Sequence, residues 1–372
     1  MDLTQCRQQI DEIDHELLRL FSERMNVVKQ VANYKQQHQL PIFHPGREQE
    51  IIADKMKQAP EEIKEYVKSF FVNLMETSKC YQLGVIDQKR SIAFVEGTVQ
   101  GTPQTKVLCQ GSLGAYQHIA AKQLFPTSEI LFCKSFGDVF EQVQNGQADY
   151  GLVPLENSTG GTVSDVYDLL SQYDLPINLM YKLKIEHCLA AKQQLALEDI
   201  TDVYSHYQSF RQCSELFKQY PAMETHEYPN NAFAAKLVAE SEGNIAAICS
   251  EECAHLHHLE ILKTNVQNSA DNYTRFIVLS KTMLTNDDCN EMSICVRIPN
   301  QAGELNKLLT KFSLYSINMT KIESRPIGDK DFSVLFYISF QGNSKERKVL
   351  ELIHDLQYNY DFFKLLGTYP AI

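Results

Sequence analysis

The chain has 372 residues, 44% hydrophobic and 22% charged. That composition excludes a disordered or fibrous protein, and the length exceeds one ordinary core, so two or three domains are expected. A net charge of −12 speaks against a basic nucleic-acid-binding face, and no apolar run approaches the ~20 residues that cross a bilayer.

Residues 3–37 carry Ile10, Ile13, Leu17, Leu20, Val28 and Val31 three and four apart, which predicts a long amphipathic helix stopped before Pro41. Its polar start, MDLTQCRQQIDEIDHELL, is no signal peptide. A shorter helix is expected from about Pro45 to Met56. A third follows Pro60, with Ile63, Val67, Phe70, Phe71, Leu74 and Met75 on its buried side. So few residues make a poor core unless another chain or domain covers them. After Gly84 the pattern lapses into a linker ending in GTPQTK.

From Lys106 the order becomes strand, glycine turn, helix: VLCQG into AYQHIAAKQLF, DYGLVPLEN through STGGT into VSDVYDLL, DVYSHYQ into FRQCSELF, NIAAICS into EECAHLHHL. Such alternation predicts parallel α/β structure. Cys249, Cys253, His255, His257 and His258 fall within ten residues. Cys and His are common zinc ligands, but these scatter over several helix faces, so no metal is expected. Ten cysteines without CxxC pairs read as reduced thiols of a cytoplasmic protein. Residues 291–372 read βαββαβ, a ferredoxin-like order. The expected division is 1–88 helical, 89–104 linker, 105–282 α/β and 290–372 α+β.

In the helical module Arg7, Arg24, Lys35, Arg47 and Glu48 stand out, with Ser78 and Gln82 one turn apart. Arg24 and Lys35 lie three turns apart and share a helix face, whereas Arg7 is roughly 42 Å from Lys35 along the same helix. One small ligand reaches both only if Arg7 comes from an antiparallel partner helix. Cations so placed also serve simply to solvate a helix surface. The run LTQCRQQIDEIDHELLRLFSERMNVVKQVANYKQQHQLPIFHPGREQEII, however, closely resembles the all-helical chorismate mutases. The resemblance implies that Arg7 of a partner, Arg24 and Arg47 hold the substrate carboxylates, with Ser78 also a substrate contact. Lys35 and Gln82 would donate to the breaking ether oxygen, and Glu48 would take the ring hydroxyl. His44 stands where the family often has an acid. A pericyclic rearrangement needs a held conformer and charge stabilisation, not a nucleophile.

In the central section, Gly111-Ser112-Leu113-Gly114, Glu156 through Thr162, and Ser205-His206 are strand-to-helix turns. Free N–H groups there favour anions, and the missing GxGxxG and GxxxxGK[ST] patterns point to a small carboxylate, with no cofactor. VPLENSTGGTVSDVYDLL, EHCLAA, VYSHYQSFRQCSEL and NYTRFIVLS resemble the successive signatures of prephenate dehydratases. The resemblance implies two α/β lobes, like a periplasmic solute-binding protein, closing on prephenate. Glu156, Asn157, Ser205, Gln212, Thr274 and Arg275 are its site residues, with Phe276 packing. Thr274 and Glu156 are both candidate proton donors to the leaving hydroxyl, Glu156 and Gln212 orient, Asn157 and Ser205 contact substrate, and Arg275 suits a carboxylate. His206 reads as a turn residue and His187 as structural.

The βαββαβ section resembles the ACT regulatory domain, with KIESRP (Lys321–Pro326) as the hallmark of its phenylalanine-responsive forms. The implied effector site is Gly303 and Leu305 with Glu323, Ser324, Arg325 and Pro326. The loop departs from the usual G-A-L-V by reading Gly303-Glu304-Leu305-Asn306, and Phe332 stands where Trp is common. The whole resembles the bifunctional P-proteins of phenylalanine biosynthesis: chorismate to prephenate to phenylpyruvate, inhibited by L-phenylalanine, as a homodimer or higher even oligomer. An enzyme keeping one activity and an amino-acid-sensing binding module are the rivals.

Overall fold

The structure, a computed structural model, describes residues 2–42, 45–86, 92–327 and 333–372; His44 and Phe332 lie outside these. In chain order, α1 (Leu3–Gln37), α2 (Pro45–Gln58) and α3 (Lys64–Val85) lead to β1 (Val95–Glu96), β2 (Lys106–Gln110), α4 (Tyr116–Leu124), β3 (Glu129–Cys133), α5 (Phe136–Gln144) and β4 (Tyr150–Asn157). Next come β5 (Gly161–Thr162), α6 (Ser164–Gln172), β6 (Ile177–Lys184), β7 (Cys188–Ala191), β8 (Asp202–Ser205), α7 (Tyr207–Gln212), α8 (Ser214–Gln219), β9 (Glu224–Glu227) and α9 (Asn231–Glu240). Then follow β10 (Ile245–Cys249), α10 (Glu251–Leu256), β11 (Glu260–Lys263), β12 (Tyr273–Leu279) and β13 (Leu284–Thr285). The chain closes with β14 (Glu291–Ile298), α11 (Glu304–Leu314), β15 (Met319–Pro326), β16 (Val334–Gln341), α12 (Arg347–Asn359) and β17 (Phe363–Tyr369).

These elements form two compact units, Met1–Ile92 with Ile294–Lys364, and Ala93–Ser293 with Leu365–Ile372. In the first, α1 opens on a capping box: the Asp2 carboxylate accepts from the Gln5 amide at 2.8 Å while the Gln5 side chain accepts from the Asp2 amide at 3.1 Å, satisfying two orphan donors. Only Val28 and Ala32 of α1 are buried. Its apolar stripe faces water, with Ile13 59% and Leu17 48% exposed. The third helix instead buries Met75, Glu76, Ser78, Lys79, Cys80 and Gln82, because α1, α2, α11 and α12 all pack on it. The βαββαβ order read from the sequence is the order found, with strands arranged β15-β16-β14-β17. Leu308, Phe312, Phe340, Val349, Leu352 and Leu356 form its core.

The second unit has two lobes. One sheet runs β6-β12-β4-β2-β3 and the other β11-β7-β10-β8-β9. The expected parallel arrangement holds for β2 with β3 and β4, and for β8 with β9 and β10, but not throughout. Strand β12 runs antiparallel to both neighbours, and β7 antiparallel to β10 and β11. Two connections lack a helix: β6 passes to β7, and β11 to β12, each between different sheets. Those two passages also carry the chain from one lobe to the other and back. The expected linker contributes β1, paired in parallel with β13.

The closing residues extend the first lobe: Gly367 pairs with Ile177, and Met180 donates to the Pro370 carbonyl and accepts from the Ile372 amide. A Cβ on Gly367 would lie 2.1 Å from the Ile177 carbonyl oxygen. Gly367→Ala is therefore expected to cost about 2 kcal/mol in urea denaturation, as overpacking against rigid backbone does. Gly84 lies in α3, where an added Cβ would meet nothing within 4 Å, so Gly84→Ala should instead gain about 0.5 kcal/mol.

Candidate active sites

In the first unit, helical spacing brings Arg24, Lys35, Ser78 and Gln82 toward the α1–α3 seam. Arg24 Nη1 donates to Ser78 Oγ. Lys35 Nζ donates to the Ile42 carbonyl at 2.6 Å. Burial depresses the pKa of Arg24 and of Lys35, the Glu48 carboxylate opposing the shift at Lys35. Gln82 is buried and underused: Nε2 makes one long 3.4 Å bond to the Ser78 carbonyl and Oε1 has no partner. Glu48 Oε2 faces Lys79 Nζ at 3.3 Å, and Lys79 also pairs with Glu76. Half-buried cations, an amide and a carboxylate thus lie along the surface that α1, α2 and α3 share. Two expected members are elsewhere in this chain: Arg7 is exposed, and Arg47, 69% exposed at its side chain, pairs with Glu50 at 3.4 Å.

In the second unit a cavity of about 280 Å³ lies between the lobes, lined by Asn157, Thr274, His187, Gln212 and the first residues of α4, α7 and α9. Asn157 organises it. Its Oδ1 accepts from the Thr159 amide (3.0 Å), the Gly160 amide (2.7 Å) and Gln212 Nε2 (3.0 Å). Its Nδ2 must then face the other way, toward Asn272 Oδ1 (2.9 Å), the Tyr273 carbonyl (3.1 Å) and Thr274 Oγ1 (3.0 Å). Because the Thr274 oxygen accepts, its proton is left to donate elsewhere. Gln212 is fixed in turn: its Oε1 faces His187 Nε2 at 2.9 Å, and His187 Nδ1 faces the Tyr116 hydroxyl at 2.8 Å. Burial lowers the His187 pKa against the opposing Gln212 bond. The neutral ring with its proton on Nε2 donates to Gln212, while the Tyr116 hydroxyl donates to the Glu186 carbonyl at 2.6 Å.

Three expected residues do not line this cavity. Glu156 and Arg275 pair with each other at 2.8 Å on the opposite face of the strands from Asn157 and Thr274. Strand alternation would put Pro154 and Glu156 on one face, but β12 pairs Phe276 with Pro154 and Arg275 with Glu156, leaving Leu155 as a bulge. That extra residue turns Glu156 away and Asn157 inward. Ser205 is fully buried and bonds the Ile248 carbonyl (2.9 Å) and Asn231 Oδ1 (3.0 Å). Its role is to hold Asn231, a cavity residue that no sequence motif marks, which also accepts from Ser209 at 3.0 Å. His206 caps α7 by accepting from the Gln208 amide, as its turn position suggests, and Phe276 is core. Cys249 and Cys253 are buried in a core that also holds Cys188. Among the described residues, the side chains grouped closely enough to share an ion are Asp202, Glu224 and His226, not that cluster.

Of the expected effector residues, Gly303 stands just before α11 as its N-cap with φ +91°, a left-handed value that favours glycine. Leu305 follows it, 37% exposed. Glu323 and Arg325 share one face of the edge strand β15, and Ser324 and Pro326 the exposed other.

The family model for prephenate dehydratase matches residues 107–284, and that for chorismate mutase type II matches residues 6–83. A bifunctional chorismate mutase/prephenate dehydratase from Aquifex aeolicus (strain VF5) is 32% identical over 99% of this chain and 98% of its own. A solved structure described as GqqA, a novel type of quorum-quenching acylase, is 27% identical with a TM-score of 0.65 over 72% of this chain and 98% of that one. The prephenate dehydratase of Arthrobacter aurescens, solved in complex with L-Phe, shares the fold over 72% of this chain and 92% of its own, with 24% identity and a TM-score of 0.66.

Since the folded His187 pKa lies below its ordinary 6.5, the unfolded chain takes up this proton first as pH falls. His187 therefore contributes stability above about 6.5 that is lost below it. The unfolding midpoint should fall between pH 7.5 and pH 5.5, and by less in His187→Gln; equal falls in both proteins would contradict the assignment.

Proposed function

This chain belongs to the family of bifunctional chorismate mutase/prephenate dehydratases, and we propose that its catalytic surfaces are those built around Lys35 and around Thr274. At the first, chorismate rearranges to prephenate. Arg24 and Ser78 hold carboxylate, Glu48 accepts from the ring hydroxyl, and Lys35 and Gln82 donate to the ether oxygen as its bond breaks and charge grows there. The single long bond of Gln82 Nε2 supports a donor kept for ligand. A second copy antiparallel along α1 would cover the exposed Ile10, Ile13, Leu17 and Leu20 stripe and deliver its Arg7 to the site, making a homodimer. Arg47 reaches substrate only by leaving Glu50.

At the second surface, prephenate loses CO2 and its ring hydroxyl. The electron pair of the breaking carbon–carboxylate bond moves into the ring, the ring becomes aromatic, and the hydroxyl leaves. The observation that carries this reading is the Asn157 to Thr274 hydrogen bond. It turns the threonine proton outward to the departing oxygen, while the Asn157 amide disperses charge building on Thr274. Between the two candidate donors the geometry favours Thr274, since Glu156 is engaged with Arg275. Substrate carboxylates suit the N-termini of α4 and α9, whose first residues Tyr116 and Asn231 line the cavity.

The β15-β16-β14-β17 order supports a ferredoxin-like ACT module, and the Gly303 turn with the adjoining β15 supports an effector site for L-phenylalanine. Inhibition would couple that site to the catalytic lobes through two states. The free thiols favour a cytoplasmic setting.

Supplied with chorismate, and separately with prephenate, the protein should form phenylpyruvate, read by its ultraviolet absorbance in alkali, and L-phenylalanine should slow it. Thr274→Ala should lower dehydratase kcat about 100-fold, equivalent to ~2.7 kcal/mol, with Thr274→Ser largely active and mutase untouched. Arg7→Ala and Lys35→Ala should each abolish mutase activity, and a mixture of the two should recover part of it if Arg7 acts across the dimer.

A further inference from the structure

The buried part of α3 carries a lysine that the mutase reading leaves unused. Lys79 is 7% exposed, pairs with Glu76, and reaches Glu48 Oε2 at 3.3 Å. Glu76 Oε2 is also 3.5 Å from Lys311 Nζ of α11, and Lys311 lies 2.5 Å from Asp355 of α12. Asp355 is wholly buried and accepts from Tyr315 (3.2 Å) and Asn359 (2.6 Å). Charges alternate along this path: Glu48, Lys79, Glu76, Lys311, Asp355. A second contact runs beside it. The Tyr358 hydroxyl, one turn beyond Asp355 on α12, accepts from the Ile42 amide at 2.9 Å, and the carbonyl of Ile42 is the group that holds Lys35.

We propose that the βαββαβ module supplies positioning residues to the mutase site: Lys311 acting through Glu76 and Lys79 on Glu48, and Tyr358 acting through Ile42 on Lys35. Buried ions tolerate loss of a partner poorly, so each member fixes the next. With Lys311 in place, Glu76 is shared between two lysines, and Lys79 keeps a contact for Glu48. Without it, Glu76 draws Lys79 to itself and Glu48 loses its orienting cation. Glu48 Oε1 is then no longer aimed at the substrate hydroxyl. The inference rests on reading Lys35 and Glu48 as mutase residues.

The test is steady-state kinetics of the full-length protein, with dehydratase activity on prephenate as the control in every variant. Lys35→Ala examines the underlying reading: unimpaired mutase there removes both it and this inference. With Lys35→Ala inactive, Tyr358→Phe should lower mutase kcat three- to tenfold, and Lys79→Met and Lys311→Met at least tenfold, dehydratase kcat holding within twofold. Lys79→Arg should restore most of the loss. Lys79→Met with Lys311→Met should be no worse than the poorer single variant, because both interrupt one path. Tyr358→Phe removes one oxygen and leaves the ion path intact, so it remains informative if the lysine variants fail to fold. Mutase kcat within twofold of the parent in Tyr358→Phe and in every folded lysine variant, or losses that multiply in the double variant, would overturn the proposal.

Discussion

The dehydratase cleft depends on which way one amide points. Asn157 receives two backbone N–H groups and the Gln212 side chain at its oxygen, so its nitrogen has no choice but to face Thr274. A hydroxyl that accepts from Asn157 keeps its own proton for another partner, which on the proposed reading is the departing oxygen. The donors themselves come from both lobes: the Thr159–Gly160 turn belongs to one, Gln212 to the other. The alignment of Thr274 is thus a property of the joined lobes and not of either alone.

The mutase surface rests on a different principle. No proton or nucleophile is required, only cations and donors arranged around a dianion. Arg24 and Lys35 hold their charge in part-buried positions, at a cost visible in their depressed pKa values. Both are engaged before any ligand arrives, with Ser78 and with the Ile42 carbonyl. On the proposed reading, such interim partners keep long side chains near their working geometry and lower the entropy lost on binding.

Much of this is legible in the sequence, and the gaps have identifiable causes. Helical spacing locates Arg24, Lys35, Ser78 and Gln82, since a 3.6-residue period turns sequence into a face. The βαββαβ order and most strand limits follow from apolar runs between turns. Glu156 is expected in the cleft through the family resemblance, and the sequence has no means of showing the bulge at Leu155 that turns it away. Ser205 reads as a ligand contact although its hydroxyl serves the fold, and Asn231, which it holds, carries no local signal. Lys79 looks like any surface lysine beside Ser78; Lys311, which shares its partner Glu76, lies more than two hundred positions later. The mixed sheets are hidden because strands that follow one another without a helix look no different, one at a time, from those of a parallel sheet.

The C-terminal half of α3 is largely enclosed although four of its six buried residues are polar or charged. A helix of that kind has little reason to dehydrate early. As the chain leaves the ribosome, Glu76 and Lys79 emerge long before Lys311 and Asp355 exist to complete their array, and until then water is their better host. Maturation of the N-terminal helices would accordingly wait for the last quarter of translation, so that a nascent chain acquires a finished rearrangement centre only when the module at its other end has been made.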